Sequence, residues 1–320
     1  WGLKVRMWLL MGALFAIIYA IVSMVSYSLG VSNFYFYIIL SLAFMLIQYF
    51  VGPKIVEWSM RVRYVSDKEY PELHSMVGAL AAAANIPAPR IGIAQVAIPN
   101  AFAFGRSLRD GRVCVTEGIL KLLNPDELKA VLGHELSHLK NRDVLTIMIL
   151  SIIPMIMYRI AWHFLFYGGR RDRSSSGGNT ALVGLAAFIF YFVTNLLVLY
   201  ASRVREYFAD KGSIDLGNPP SSLASALYKL VYGSARMPKE AIKDVEGMKA
   251  FFANDPSRAA KELVELKDLD LDRSGTISAD ELRAIQSKEL HLGFGDKMME
   301  LLSTHPNMLK RIKRLSEWKA

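Results

Sequence analysis

One cysteine, Cys114, stands among 320 residues. That excludes a disulfide framework and a zinc site built from thiolates. The cysteine lies in a strand-like run, Arg112-Val113-Cys114-Val115-Thr116, and is expected to be a small core residue. Charge is missing from whole stretches. Met7 to Pro53 holds no Asp, Glu, Lys or Arg, and neither do Val144 to Tyr158 or Thr180 to Ser202. Runs of that length point to a membrane rather than to a water-filled surrounding. Acidic residues are the minority, 29 against 38 Lys and Arg, for a net charge of +9. Beside apolar runs, a positive-inside bias accounts for that excess better than a nucleic-acid partner does. No internal repeat is evident.

The first uncharged run is too long for one crossing and fits two, about Met7–Ser26 and Phe34–Val51, each near the ~20 residues a span needs. Ser28–Asn33 makes the turn. A secretory signal is the weaker alternative for the first, because the apolar run exceeds an h-region and no small-residue cleavage site is obvious. Lys4 and Arg6 precede this hairpin and Lys54, Arg61 and Arg63 follow it, so both ends favour the cytoplasm. Val144–Phe166, interrupted by Arg159 and His163, is either a third span with Arg159 snorkelling or paired, or a helix leaning on its neighbours. Thr180–Ser202 is long enough for a fourth. The polar loop 168–179 carries Arg170, Arg171 and Arg173, which favour the cytoplasm, whereas a crossing hairpin places them outside. Under both readings the chain returns to the side it left. The expected organisation is a membrane hairpin at 1–53, a first catalytic part at 54–143, a second membrane hairpin at 144–202 and a second catalytic part at 203–320. The expected setting is multi-pass in the cell membrane, with the polar parts in the cytoplasm.

His134-Glu135-Leu136-Ser137-His138 reads H-E-x-x-H. On a helix, residues four apart share a face, so two imidazoles converge on one metal while Glu135 reaches a water beside it. Asn124-Pro125-Asp126-Glu127 supplies the helix start: Asn as cap, Pro at the first position, Glu at the third. A catalytic Zn²⁺ takes a third protein ligand. His74, His163, His291 and His305 are available, as are carboxylates. Glu206 is favoured among the carboxylates, because a helix leaving the fourth apolar segment runs back beside the motif helix if the hairpin is antiparallel. Asp210, one turn on, can orient a ligand imidazole. The competing reading pairs Glu206 with Arg203 or Arg205 on a solvated face.

Pro71–Ala84 reads as a helix, and Arg90–Val96, Ala101–Phe104 and Arg112–Thr116 as strands, with a turn at Arg109-Asp110-Gly111. A small sheet beside a metal-binding helix is an α+β arrangement. Asn100-Ala101-Phe102-Ala103 with Phe104 is either an exposed edge strand, able to hold an extended peptide by main-chain hydrogen bonds, or an ordinary hairpin arm. A second metal signal follows. Asp270, Asp272, Ser274, Thr276 (through its backbone) and Glu281 stand at positions 1, 3, 5, 7 and 12 of an EF-hand loop, with Gly275 at position 6. Helical patterns flank it, so Ca²⁺ is an expected second cation. The loop stands alone, whereas EF-hands usually work in pairs.

Four motifs, in order, resemble the HtpX-type and CAAX prenyl protease family of integral-membrane zinc metallopeptidases: Asn100–Ala103, His134–Asp143, Glu206-Tyr207-Phe208-Ala209-Asp210, and Ser303-Thr304-His305-Pro306 with Arg311 and Ile312. The resemblance covers most of the chain. It implies a mainly α membrane protein of about four transmembrane helices, with a cytoplasmic α+β zincin-like (gluzincin) catalytic domain. It implies zinc on His134, His138 and Glu206, Glu135 as catalytic base, and Asn100–Ala103 as the strand that pairs with a polypeptide substrate. It places His305 and Arg311 near the site, where they steady substrate or oxyanion; residue pattern alone made His305 only a loop or capping histidine. It also implies quality control of membrane proteins as the role. A narrow-specificity processing protease is the second enzymatic reading, and a Ca²⁺-responsive scaffold with structural zinc is the non-enzymatic one. The EF-hand-like loop is not a standard part of the resembled family.

Overall fold

The computed structural model describes residues 34–166, 177–238, 259–287 and 293–318. The expected first span, the turn after it and loop residues 168–176 lie outside them. Two compact units result: Trp1–Gly52 with Ile152–Thr194, and Pro53–Ser151 with Asn195–Ala320.

Within the second unit, the chain leaves α1 (Phe34–Ser59) and enters β1 (Val62–Tyr64), α2 (Pro71–Ala84), β2 (Arg90–Ala94), β3 (Ala101–Phe104) and β4 (Arg112–Thr116). The sheet order is β1-β2-β4-β3. β1 runs antiparallel to β2, β2 parallel to β4, and β3 antiparallel to β4 with Phe102 opposite Cys114. β3 is thus both a hairpin arm and the sheet edge. Its alternation divides its labour. Phe102 and Phe104 stack on one face, with ring centroids 5.8 Å apart, in a cluster with Met60, Ile98 and buried Cys114. Ala101 and Ala103 turn to the opposite face, which belongs to the main core. Small side chains there let a helix approach the strand. Burial pushes the Cys114 thiol up to about 12, as suits an inert core residue.

After a short α3 (Glu117–Leu122) comes the motif helix, α4 (Pro125–Lys140). Its start follows the sequence expectation: Asn124 Oδ1 accepts from Glu127 N at 2.9 Å and Glu127 Oε2 accepts from Asn124 N at 2.9 Å, a capping box worth about 1 kcal/mol on its Asn half. Leu132 and Leu136 are fully buried, each contributing about 2 kcal/mol of apolar transfer.

Arg142 takes a left-handed conformation, φ +54°, and ends this run before α5 (Asp143–Leu150). The first unit then takes α6 (Ile152–Phe166) and the start of α7 (Gly177–Asp215). Tyr158 and Tyr191 lie 5.4 Å apart between those two helices, and at Gly184 any Cβ would come within 2.9 Å of Leu165. Leu182, Leu185, Phe190 and Phe192 are exposed, as on a lipid-facing surface. Among the described residues, Asp143–Trp162 and Leu182–Asp215 are long and apolar enough to cross a membrane. The expected second span, Phe34–Val51, lies within α1.

Returning to the second unit, α8 (Pro220–Ala235) starts after Pro219 as its N-cap residue. Then follow α9 (Ala259–Leu266), α10 (Ala279–Gln286), α11 (Phe294–Leu301) and α12 (Met308–Ser316). α9 and α12 pack on α8, and α8 packs on α4. Ser225 and Lys229 of α8 reach the buried Glu127 carboxylate at 2.7 and 2.8 Å, tying α8 to the first turn of the motif helix.

Candidate metal centre

One turn of α4 separates His134 and His138 and brings both to one face. Their Nε2 atoms stand 3.1 Å apart. Glu206 completes the group from α7, with Oε2 3.6 Å from His134 Nε2 and Oε1 3.6 Å from His138 Nε2. Two glycines allow the helices to meet. A Cβ at Gly133 would fall 2.5 Å from Asn218 Nδ2, and one at Gly212 would fall 2.2 Å from Ser137 Oγ. Ser213 Oγ donates to the Ala130 carbonyl at 2.6 Å across the same seam. A larger residue at either glycine would force Asn218, Ser213 or Ser137 to shift at this seam.

The donor set fits a zinc ion. His134 Nδ1 lies 2.9 Å from Asp210 Oδ1 and His138 Nδ1 lies 2.5 Å from Asp143 Oδ2. With Nδ1–H donated to those carboxylates, both Nε2 lone pairs face one another and the Glu206 oxygens. Among the described residues, buried Glu206 Oε2 accepts no well-formed hydrogen bond and has only the longer contacts to His134 Nε2 and Arg311 Nη1, at 3.6 and 3.3 Å. Lone pairs gathered this way repel unless a cation sits among them. Ligand atoms at ordinary Zn–N and Zn–O lengths, about 2.0–2.2 Å, stand roughly 3.3–3.6 Å apart at the corners of a tetrahedron. Two of the observed separations, 3.6 Å, fall at the upper end of that range, and the Nε2–Nε2 distance of 3.1 Å lies just below it.

The surrounding charges work in the same direction. Burial alone would lower the His134 pKa, but hydrogen bonds to Asp210 and Glu206 outweigh it and raise it to about 9. The pocket thus attracts positive charge, whether a proton or a metal. Burial lifts the Glu135 carboxyl above its ordinary range, although both imidazoles and the Ala103 backbone N–H pull it down. A raised carboxyl suits a group that must hold a proton for part of a reaction cycle. The contact with Ala103 joins the motif helix to the edge strand.

Arg311 and His305 arrive from the C-terminal segment. Arg311 is 0% exposed, donates from Nε and Nη2 to both Asp210 oxygens at 2.9 and 2.5 Å, and places Nη1 3.3 Å from Glu206 Oε2. That guanidinium is committed to the two carboxylates. His305 keeps 19% of its side chain exposed, with Nδ1 3.3 Å from Glu206 Oε1. Arg203 of α7 grips the carbonyls of Glu300, Leu301 and Ser303 at 2.8–3.1 Å, which holds the His305 loop against the helix carrying Glu206. Of the other histidines, His74 bonds the Val65 carbonyl and His291 lies outside the described residues. Asn100 is buried; its backbone N–H donates to Thr116 Oγ1 and its carbonyl accepts from Thr116 N–H, both at 2.9 Å, which fixes the start of β3.

Asp143 and Arg203 are the contributions that sequence reading missed. Asp143 stands five residues after His138. On an unbroken helix it would point roughly 140° away. Only the left-handed turn at Arg142 swings it back.

The second cluster is local. One carboxylate oxygen each from Asp270, Asp272 and Glu281 lies within 4.8 Å of the others. Ser274 and Gly275 amides donate to Asp270 at 2.9 Å, the Leu271 amide to Glu281 at 2.7 Å, and Tyr228 Oη of α8 to Asp270 at 3.2 Å. Gly275 takes φ +81°, as the sharp turn requires. The hydroxyls of Ser274 and Thr276 lie 2.9 Å from each other.

Residues 67–319 match the profile of Peptidase family M48. The chain is 51% identical over 231 residues to a Protease HtpX homolog of Methanothermobacter thermautotrophicus, covering 72% of this chain and 86% of that one. It is 38% identical over 317 residues to Protease HtpX homolog 2 of Methanosarcina acetivorans, covering 99% and 95%. Among solved structures, S. mikatae Ste24p matches with a TM-score of 0.52 at 13% identity, covering 97% of this chain and 67% of that one. That last likeness is one of fold.

Proposed function

The chain belongs to Peptidase family M48, and on that premise we propose that it is a membrane-embedded zinc endopeptidase whose metal is held by His134, His138 and Glu206. The observation carrying this reading is the convergence of both Nε2 atoms and a buried carboxylate at separations of 3.1–3.6 Å, close to those about a tetrahedral ion.

Bound zinc polarises the scissile carbonyl and makes a water acidic enough to attack near neutral pH. The chain's own residues do the rest. Glu135 takes the proton of the attacking water on its carboxylate and passes it to the departing amine nitrogen. The Ala103 N–H steadies that carboxylate between transfers. Residues Asn100–Ala103 receive an extended substrate by main-chain pairing along the open edge of β3. His305 faces the site with an exposed side and donates to the developing oxyanion, while Arg311 holds Asp210 and, through it, His134.

Substrates on this reading are membrane or misfolded proteins, handled in quality control at the cell membrane. Four spans, with the catalytic part in the cytoplasm, are proposed from the two uncharged hairpins and their flanking cations. Asp270, Asp272, Ser274, the Thr276 carbonyl and Glu281 are proposed to take Ca²⁺; the support is EF-hand spacing together with three convergent carboxylates.

Casein cleavage by the purified full chain tests the enzymatic core. Zinc-dependent cleavage that disappears in Glu135→Gln, with zinc still bound, is the expected result. Cleavage by that variant at the wild-type rate sinks the assignment.

A further inference from the structure

Each imidazole of the centre hands its far nitrogen to a buried carboxylate, and each carboxylate meets a buried or half-buried arginine. His134 reaches Asp210, and Asp210 reaches Arg311. His138 reaches Asp143 at 2.5 Å, and Asp143 Oδ1 stands 2.8 Å from Arg205 Nε. The two chains of contact are parallel in chemistry.

We propose that Asp143 is a positioning residue for the metal: it fixes the tautomer and aim of His138, and Arg205 holds it in place. This rests on the zinc reading above. Three observations support it. Asp143 is 4% exposed, so its carboxylate is costly to leave without a partner. Its two oxygens divide, Oδ2 to the imidazole and Oδ1 to the guanidinium. With Nδ1 as donor, His138 Nε2 is left as a pure acceptor directed at His134 Nε2 and Glu206 Oε1. His138 is also the more exposed imidazole, 17% against 4% for His134. It has more freedom to lose and therefore more need of an outside anchor.

The bland alternative is that Asp143 merely opens α5, where an acidic residue favours the helix dipole. A helix-start role moves stability. A positioning role moves metal affinity. The left-handed Arg142 turns Asp143 onto the ring, which a helix start alone does not require.

The test uses the full chain in detergent, with zinc affinity from chelator competition and thermal midpoints of metal-free and metal-loaded protein. Asp143→Asn should bind zinc 10- to 100-fold more weakly, in line with losses of such outer contacts elsewhere, and should alter the visible spectrum of the cobalt-substituted centre. The metal-free midpoint should stay near wild type. Arg205→Met should weaken zinc in the same direction by about threefold, and Arg205→Lys should recover part of that loss. Affinity within about twofold of wild type in Asp143→Asn, or a lowered metal-free midpoint with affinity unchanged, overturns the inference. If Asp143→Asn does not fold, the Arg205 pair decides it by the same affinities. Wild-type protein that binds no zinc, or His138→Ala that binds it undiminished, brings down the zinc reading itself and the inference with it.

Discussion

The cluster of His134, His138 and Glu206 and the cluster of Asp270, Asp272 and Glu281 lie in one structural unit and are built on opposite plans. The first collects its atoms from two helices separated in sequence by the whole apolar segment 144–202. The second takes its atoms from a single stretch of twelve residues, the loop at Asp270 and Asp272 and the first turn of α10 at Glu281. In the first, the Nε2 atoms confront each other, the far nitrogens of both rings meet Asp210 and Asp143, and His305 and Arg311 each stand 3.3 Å from a Glu206 oxygen. In the second, loop amides already satisfy the carboxylates. A cation at the first site relieves a conflict built into the packed fold. A cation at the second replaces bonds the loop makes for itself.

The largest effect expected from that contrast is catalytic. Glu135→Gln should lower peptide cleavage by about 10³-fold while leaving zinc stoichiometry intact, read from a casein assay beside metal analysis. Next comes separation of the two sites. Glu206→Ala should strip zinc without touching any calcium response, and Glu281→Gln should do the reverse. Thermal scans with each metal check both halves. Calcium at about 100 times its dissociation constant should stabilise the wild type by roughly 2.7 kcal/mol, and Glu281→Gln should abolish that gain.

A smaller effect concerns pH. His134 has a raised pKa in the metal-free protein, about 9, against about 6.5 unfolded. Its stabilising contribution is complete below about 6.5 and is lost as pH rises through about 9. Metal-free protein should therefore lose stability across that window, and zinc-loaded protein should not, because the metal takes the proton's place. Denaturation midpoints at several pH values, with and without zinc, measure the difference. The smallest expected effect is local to the scaffold. Asn124→Ala removes one half of the capping box and should cost about 1 kcal/mol in a denaturant titration, with both metal responses retained.

Much of this arrangement could be read from residues whose partners are near in sequence. The start of α4, the limits of α2, β3 and β4, and the flexed loop at Gly275 depend on local caps, alternation and backbone freedom. Glu206 required a longer argument, through the return of an apolar hairpin. β1 escaped because three residues carry no alternation. α3 escaped because it is under two turns long and directly follows a strand, with Thr116 serving both elements. Asp143 escaped for a geometric reason: spacing predicts which face of a helix a residue occupies only while the helix continues, and the chain stops being helical at Arg142. Arg203 capping the carbonyls near Ser303 could not be foreseen, since nothing in either segment names the other.

The unbroken run of α7 has a mechanical consequence. Within the second unit, Asn195 to Ser202 and the pair Glu206 and Asp210 lie on one helix, so the angular setting of that stretch and that of the Glu206 carboxylate are a single variable. Each residue of an α-helix advances the setting by about 100°. One residue inserted between Ser202 and Glu206 would leave every side chain present and the helix intact, yet turn the carboxylate a quarter-circle past its mark. The chain keeps time along this helix, and the centre reads it at one position.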